Sequence, residues 1–345
     1  MVSSRLVGLG IESDGSLDGS IRETGQPVTG IRPLTMKTAF LFPGQGSQYV
    51  GMGKDLASSQ PIAREVFEEA DRVLEIRLSS LCFEGPEEEL RLTMNTQPAI
   101  LTTSIAALKA LEARGARPSF VAGHSLGEYS ALISAGALTF EDALKSVRKR
   151  GQYMQEAVPP GEGAMAALIG LDITTVREIC AESSKLGVCA PANLNSPNQT
   201  VIGGSKPAVE HAVELARAHG AKRAVMLAVS APFHCELMRP AAERLRALFE
   251  DISFSDLKTR LVTNVDAEMI ASGSEAQDAL IRQVASPVRW SESIKRLLDE
   301  GVTRFVEVGP GKVLSGLVRQ MSKQSQILNV EDVKSLDATA AALGL

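Results

Sequence analysis

The chain has 345 residues, 44% hydrophobic and 22% charged, with a formal net charge of −5. That is ample for a sizeable core, and at about 150 residues per domain it suggests two domains or one large domain with an insertion. An acidic chain with 4% aromatics lacks the basic stripe and stacking platform of a nucleic-acid binder, and no apolar run approaches the roughly 18 residues of a membrane helix.

Residues 1–35 are rich in Gly and Ser with little hydrophobic periodicity, and read as a disordered leader or an overextended start. They lack the cationic start and apolar stretch of a secretory signal, and Glu12, Asp14, Asp18 and Glu23 argue against an organelle transit peptide. Cys82, Cys180, Cys189 and Cys235 form no C-x-x-C pair. Free thiols in a reducing cytoplasm are the expectation, with the chain cytoplasmic.

Patterning begins at Met36. An apolar strand over 38–42 runs into the loop Pro43-Gly-Gln-Gly-Ser-Gln48. Helical spacing follows over 61–78 and 97–114, then a strand over 119–122 and a helix over 126–134. Strand, tight loop and helix in repetition predict an α/β fold with a mostly parallel sheet. From 164 to 227 the order changes to strand 164–169, helix 174–185, strands 188–193 and 200–202, helix 206–219 and strand 223–227. This β-α-β-β-α-β order predicts a ferredoxin-like subdomain inserted over 157–228. The first rhythm then returns, with strands over 260–264 and 304–308 and helices over 292–299 and from 313. The expected domains are therefore a catalytic part of 36–156 and 229–330, the insertion, and a C-terminal tail over 331–345.

Gly123-His-Ser-Leu-Gly127 matches G-x-S-x-G between a predicted strand and a predicted helix. Flanking glycines permit the sharp turn that presents a serine at the sheet edge, although a structural Gly-rich turn would read the same way. Ser125 needs a base, and the chain has four histidines. His211 falls off its helix's apolar stripe and His219 sits in a last helical turn, where an imidazolium suits the helix dipole. His124 is adjacent to Ser125, and neighbouring side chains on an extended segment point apart. His234 remains, where the chain re-enters the main domain, as base or as a packed or capping histidine.

The helix over 141–157 carries an apolar stripe at Ala143, Val147 and Met154, and Arg150 falls on it. An inward guanidinium is costly without an anion. It is either a structural ion pair, a snorkelling side chain, or a clamp for a substrate carboxylate. Lys145, Arg148 and Lys149 fall largely elsewhere and, with Lys312, could steer an acidic partner. Gly309-Pro-Gly-Lys312 is no phosphate loop: Val306 stands where the first Walker glycine belongs and Val313 replaces the Ser/Thr. No His/Cys/Asp/Glu cluster has metal-ligand spacing.

Four motifs in register, Phe42-Pro-Gly-Gln-Gly-Ser-Gln48, Gly123-His-Ser-Leu-Gly-Glu-Tyr129, Pro232-Phe-His234 and Glu307-Val-Gly-Pro-Gly-Lys312, closely resemble the malonyl-CoA:acyl carrier protein transacylase family. The resemblance runs from about residue 36 to 329, and related polyketide synthase acyltransferase domains share the motifs. It implies an α/β-hydrolase-like subdomain with a ferredoxin-like insertion. It implies ping-pong malonyl transfer through a malonyl-serine, with malonyl-CoA and acyl carrier protein as partners and no bound cofactor. Carried over by position, Ser125 is the nucleophile, His234 the base and Arg150 the carboxylate ligand. The backbone N–H groups of Gln45 and Leu126 form the oxyanion hole, and the main-chain carbonyl of Gln283 orients the histidine. Asn195 lies near the substrate. Leu126 and Phe233 go with malonyl rather than methylmalonyl selection. A monomer is expected. The competing readings are a trans-acting transferase of a polyketide pathway, a serine esterase or thioesterase, and a non-catalytic carrier-docking scaffold. An esterase of neutral substrates has no use for Arg150.

Overall fold

The computed structural model describes residues 36–229 and 231–345. The leader assigned to residues 1–35 lies outside the described residues. Strands β1 (Lys37–Phe42) and β2 (Phe120–Gly123) begin a main sheet. β3 (Gly163–Ile169), β4 (Cys189–Ser196), β5 (Gln199–Ser205) and β6 (Arg223–Met226) make a second sheet. β7 (Leu261–Val262), β8 (Met269–Ile270), β9 (Val302–Val308) and β10 (Gln326–Val330) return to the first.

The main sheet runs β10-β9-β1-β2-β7-β8 and is parallel except for the β7–β8 pair. Its centre is apolar on both sides, as a sheet covered by helices requires. Along β1, Phe40 and Phe42 enter the largest core, while Ala39 and Leu41 face a second core built around Trp290, Ile294 and Phe305. This is the two-residue alternation of an extended strand. The second sheet runs β4-β5-β3-β6, antiparallel throughout. Helices Ile173–Ser183 and Lys206–Ala218 cover one face and bury Val176, Ile179, Val209 and Ala212 against Ala166, Leu168 and Ile202. The strand order and crossovers are ferredoxin-like. A parallel bridge joins this unit to the main body, with Leu194 N–H donating to the Val288 carbonyl and Val288 N–H to that of Ala192, each at 2.8 Å.

Three expectations need correction. The helical stretch over 61–78 is two helices, Pro61–Leu74 and Leu78–Glu84. Glu75 adopts φ 53° between them and redirects the chain so that Leu78, Leu81 and Cys82 reach the core. The strand over 260–264 shrinks to Leu261–Val262. The segment 331–345 is no loose tail. Helix Val333–Leu343 starts from a capping box of Asp332 and Ser335 and buries Leu336 in the main core.

Candidate active site

Three adjacent parallel strands, β9, β1 and β2, send their C-terminal loops to one end of the sheet, the usual place for a ligand in such folds. There, a cavity of about 210 Å³ is lined by residues that include Gln45, His124, Ser125, Asn195, Phe233, His234 and Val313.

Ser125 ends the turn after β2 with φ 51°, a left-handed conformation that costs an ordinary side chain energy. Its flanking glycines make this possible. A Cβ on Gly123 would lie 1.9 Å from the Gly127 carbonyl carbon, and one on Gly127 would lie 2.0 Å from the Phe42 carbonyl oxygen. Asn264 braces the turn. Its Oδ1 accepts the Ser125 N–H at 2.6 Å and its Nδ2 donates to the Gly123 carbonyl at 2.7 Å.

Ser125 Oγ lies 2.7 Å from His234 Nε2, and His234 Nδ1 lies 2.9 Å from the Gln283 carbonyl oxygen. A carbonyl only accepts, so Nδ1 carries the proton and Nε2 is left as the base toward Oγ. Gln283 is the last residue of helix Gly273–Gln283, where carbonyls lack intrahelical partners. The negative end of that helix therefore faces the imidazole and favours its charged form during reaction. In the resting site burial dominates, with the Arg150 charge adding to it, and the His234 pKa is pushed down to about 3.

Arg150 lies on the inner face of helix Phe140–Glu156 and is 2% exposed. That helix crosses Thr93–Ala113 closely, since a Cβ on Gly151 would sit 2.7 Å from the Thr93 carbonyl. The crossing sets Arg150 Nη1 2.9 Å from Gln97 Oε1. Nη2 donates to Ser125 Oγ at 3.0 Å and to Gln283 Oε1 at 2.9 Å, while Nε is buried without a partner. The guanidinium also lies over the Tyr129 ring, 5.7 Å from its centroid. Among the described residues no carboxylate is hydrogen-bonded to it, which does not fit a structural ion pair, and its burial does not fit a snorkelling side chain. Burial pulls its pKa down, and Tyr129 and Glu128 oppose that. Such a buried guanidinium, 3.0 Å from Ser125 Oγ and held by neutral carboxamides, has the chemistry to receive an anion.

The structure brings the other expected residues to the same place. Gln45 and Leu126 flank Ser125 from β1 and from the elbow, and neither N–H meets an acceptor among the described residues. Phe233 and Asn195 line the cavity. His124 was set aside as a base, yet it lines the cavity too. Its Nε2 lies 2.8 Å from Asn195 Oδ1 and its ring packs edge-on against Trp290. Asn264, Gln97 and Glu128 were not foreseen. Glu128 Oε2 accepts the Asn264 N–H at 3.0 Å and Gln283 Nε2–H at 2.9 Å, and burial raises its carboxyl to about 7. Only the occurrence of polar Gln97 and Glu128 inside apolar helical stretches could have flagged two of them.

Other expectations resolve simply. Glu307, near the end of β9, is buried, and its side chain accepts the N–H groups of Leu314 at 3.0 Å and Ser315 at 2.7 Å. The helix start that a phosphate loop would offer is filled by the chain's own anion. Lys145 pairs with Glu141, Arg148 donates to Asn95, and Lys312 pairs with Glu331. All four cysteines are free and buried. Among the described residues no group of three His, Cys, Asp or Glu could hold a metal, and no helix is long and apolar enough to cross a membrane.

A strained serine delivered by a parallel sheet to a carbonyl-oriented histidine, with a buried guanidinium 3.0 Å from its Oγ, defines a class: serine-dependent acyl transfer. Comparison with known proteins narrows it. A family model described as acyl transferase domain matches residues 39–340, and the chain belongs to that family. It is 51% identical over 308 residues to the malonyl CoA-acyl carrier protein transacylase of Bacillus subtilis (strain 168), covering 89% of this chain and 97% of the relative. The fold matches the solved transacylase of the same name from Coxiella burnetii with TM-score 0.88 and 45% identity, covering 90% of this chain and 98% of that one. A malonyl-transacylase solved in complex with its holo type II PKS acyl-carrier protein matches with TM-score 0.87 and 44% identity, covering 89% and 99%.

Proposed function

We propose that this chain transfers the malonyl group of malonyl-CoA to the phosphopantetheine thiol of acyl carrier protein, supplying fatty acid synthesis in the cytoplasm. The observation that carries the reading is Arg150 Nη2 at 3.0 Å from Ser125 Oγ: the anion receptor and the nucleophile share one hydrogen bond.

The chemistry runs from these positions. His234 Nε2 takes the Ser125 proton as Oγ attacks the thioester carbonyl. The N–H groups of Gln45 and Leu126 receive the oxyanion; losing one such donor costs about 3–4 kcal/mol in comparable enzymes. The C–S bond breaks, the imidazolium returns its proton to the departing CoA sulfur, and malonyl-Ser125 remains. The carrier thiol gives its proton to His234, attacks the ester carbonyl, and restores Ser125. Arg150 holds the malonyl carboxylate through both halves by turning from Oγ while keeping Gln97 and Gln283. Phe233 crowds the α-carbon and Asn195 borders the acyl chain. The reading calls for no cofactor and no metal, since CoA arrives as part of the substrate, and a monomer suffices. The polyketide alternative uses the same chemistry and differs only in the carrier partner.

Intact-mass analysis after brief exposure to malonyl-CoA tests this. Wild type gains one malonyl group on Ser125. Arg150→Ala loses that preference by about 100-fold and accepts acetyl-CoA comparably, because the unpaired cation that disfavours acetyl is gone. Hydrolysis to free malonate faster than transfer to a carrier would favour an esterase.

A further inference from the structure

Arg150 has three side-chain hydrogen-bond partners, Gln97, Ser125 and Gln283, and none is anionic. One of them, Gln283, has a carboxamide whose orientation matters. Turned one way it offers Arg150 an acceptor; turned the other way it presents an NH₂ to a cation. Its Nε2 faces Glu128 Oε2 at 2.9 Å, the Ser125 carbonyl at 3.0 Å and Asn264 Oδ1 at 3.3 Å. All three are acceptors, and Glu128 Oε2, which also accepts the Asn264 N–H at 3.0 Å, is the nearest. The NH₂ end is therefore pinned on that side, and Oε1 is pinned on Arg150.

We infer that Glu128 is a positioning residue for Arg150: by accepting from Gln283 it fixes the polarity of that carboxamide, which then holds the guanidinium at the nucleophile. The Glu128 carboxyl group acts at one remove. A carboxylate in direct contact would compete with the substrate carboxylate for the same guanidinium. A neutral carboxamide between them passes on the orientation and occupies one Nη2 proton, leaving the one now on Ser125 Oγ to turn to the substrate. Gln283 thus has two duties, its main chain toward His234 and its side chain toward Arg150. The first implies nothing about the second. This inference rests on the proposed malonyl transfer, and it predicts that acyl selectivity depends on a residue whose partners are protein groups behind the elbow.

The test is the ratio of malonyl-CoA to acetyl-CoA acylation rates on Ser125, read by intact mass at subsaturating substrate. Glu128→Met removes the acceptor at similar size and should lower the ratio at least ten-fold. Glu128→Gln, which keeps a carbonyl acceptor, should restore most of it. Equal loss of both rates with an unchanged ratio would make Glu128 merely structural and overturn the inference. If Glu128→Met does not fold, Gln283→Met decides: the main-chain carbonyl stays on His234 while the carboxamide is gone, so the ratio must fall similarly, and an unchanged ratio overturns the inference. A wild type that forms no malonyl adduct refutes the transfer reading itself, whereas a normal adduct with an insensitive ratio refutes only the role of Glu128.

Discussion

Two strand-to-helix connections flank β1, and both are built from glycine. After β2, Gly123-His-Ser-Leu-Gly127 turns into helix Gly127–Ser134. After β9, Gly309-Pro-Gly311 turns into helix Val313–Met321, with Gly309 at φ 136° and Gly311 at φ 78°. In each the chain reverses where a Cβ would strike a neighbour: at Gly309 it would lie 2.3 Å from Ser104 Oγ. The difference is what meets the freed N–H groups. Behind β9 the Glu307 carboxylate takes those of Leu314 and Ser315. Behind β2 no side chain caps the helix, and among the described residues the Leu126 N–H meets no acceptor. Glycine spacing marks a sharp turn; the acceptor at the helix start separates a structural turn from a reactive one.

Substitutions on the two sides should separate accordingly. Ser125→Ala should abolish the acyl adduct, a loss of about 10⁴-fold or more, while Glu307→Gln keeps adduct formation measurable in the same assay. Comparable losses in both would erase the distinction. Next in size, Gly127→Ala should leave no folded protein, or cost several kcal/mol in urea unfolding, because its new Cβ meets backbone that cannot yield. Glu307→Leu should cost about 1–3 kcal/mol for each of the two buried donors left unpaired. The smallest effect should come from Gly316→Ala in the helix after β9, where the added methyl meets open space. It should stabilise by up to about 1 kcal/mol, read as a raised thermal midpoint.

A pH series sharpens the same contrast at His234. With its folded pKa near 3, the imidazole stays neutral well below the ordinary value of about 6.5. Acylation at subsaturating malonyl-CoA should fall less than about three-fold between pH 7 and 5, where an unshifted imidazole would lose about thirty-fold. Stability carries the matching sign. Between about pH 6.5 and 3 the unfolded chain binds the extra proton, so this contribution is present above 6.5 and is lost as the pH falls through that window. The gap in thermal midpoint between wild type and His234→Gln should change across that range and be flat above it.

Local pattern carried much of this in advance. The ferredoxin-like order was readable because each element is short and bounded by Gly, Pro or Asn. Arg150 was readable because a charge on an apolar helical stripe is visible within one turn. What escaped depends on distance along the chain. Asn264 meets Ser125 across 139 residues and Glu128 meets Gln283 across 155, and no local periodicity encodes such pairs. Helix Val333–Leu343 escaped for a different reason: its Ala-rich run gives weak contrast between faces, with Leu336, Thr339 and Ala340 on the buried side. His124 was judged only as a base. Its place against Asn195 depends on the ferredoxin-like unit folding over the cavity.

The group that orients His234 is a main-chain oxygen, and no codon specifies it. Every side chain that could stand at 283 brings the same carbonyl, so an alanine there reports only the loss of the carboxamide's bonds to Arg150 and Glu128 and leaves this oxygen in place. The events that reach it are changes in chain length or path: an insertion within 284–287, or a proline that unwinds the last turn of the helix. Heredity protects this atom through the geometry of a helix end, and point mutation has little purchase on it.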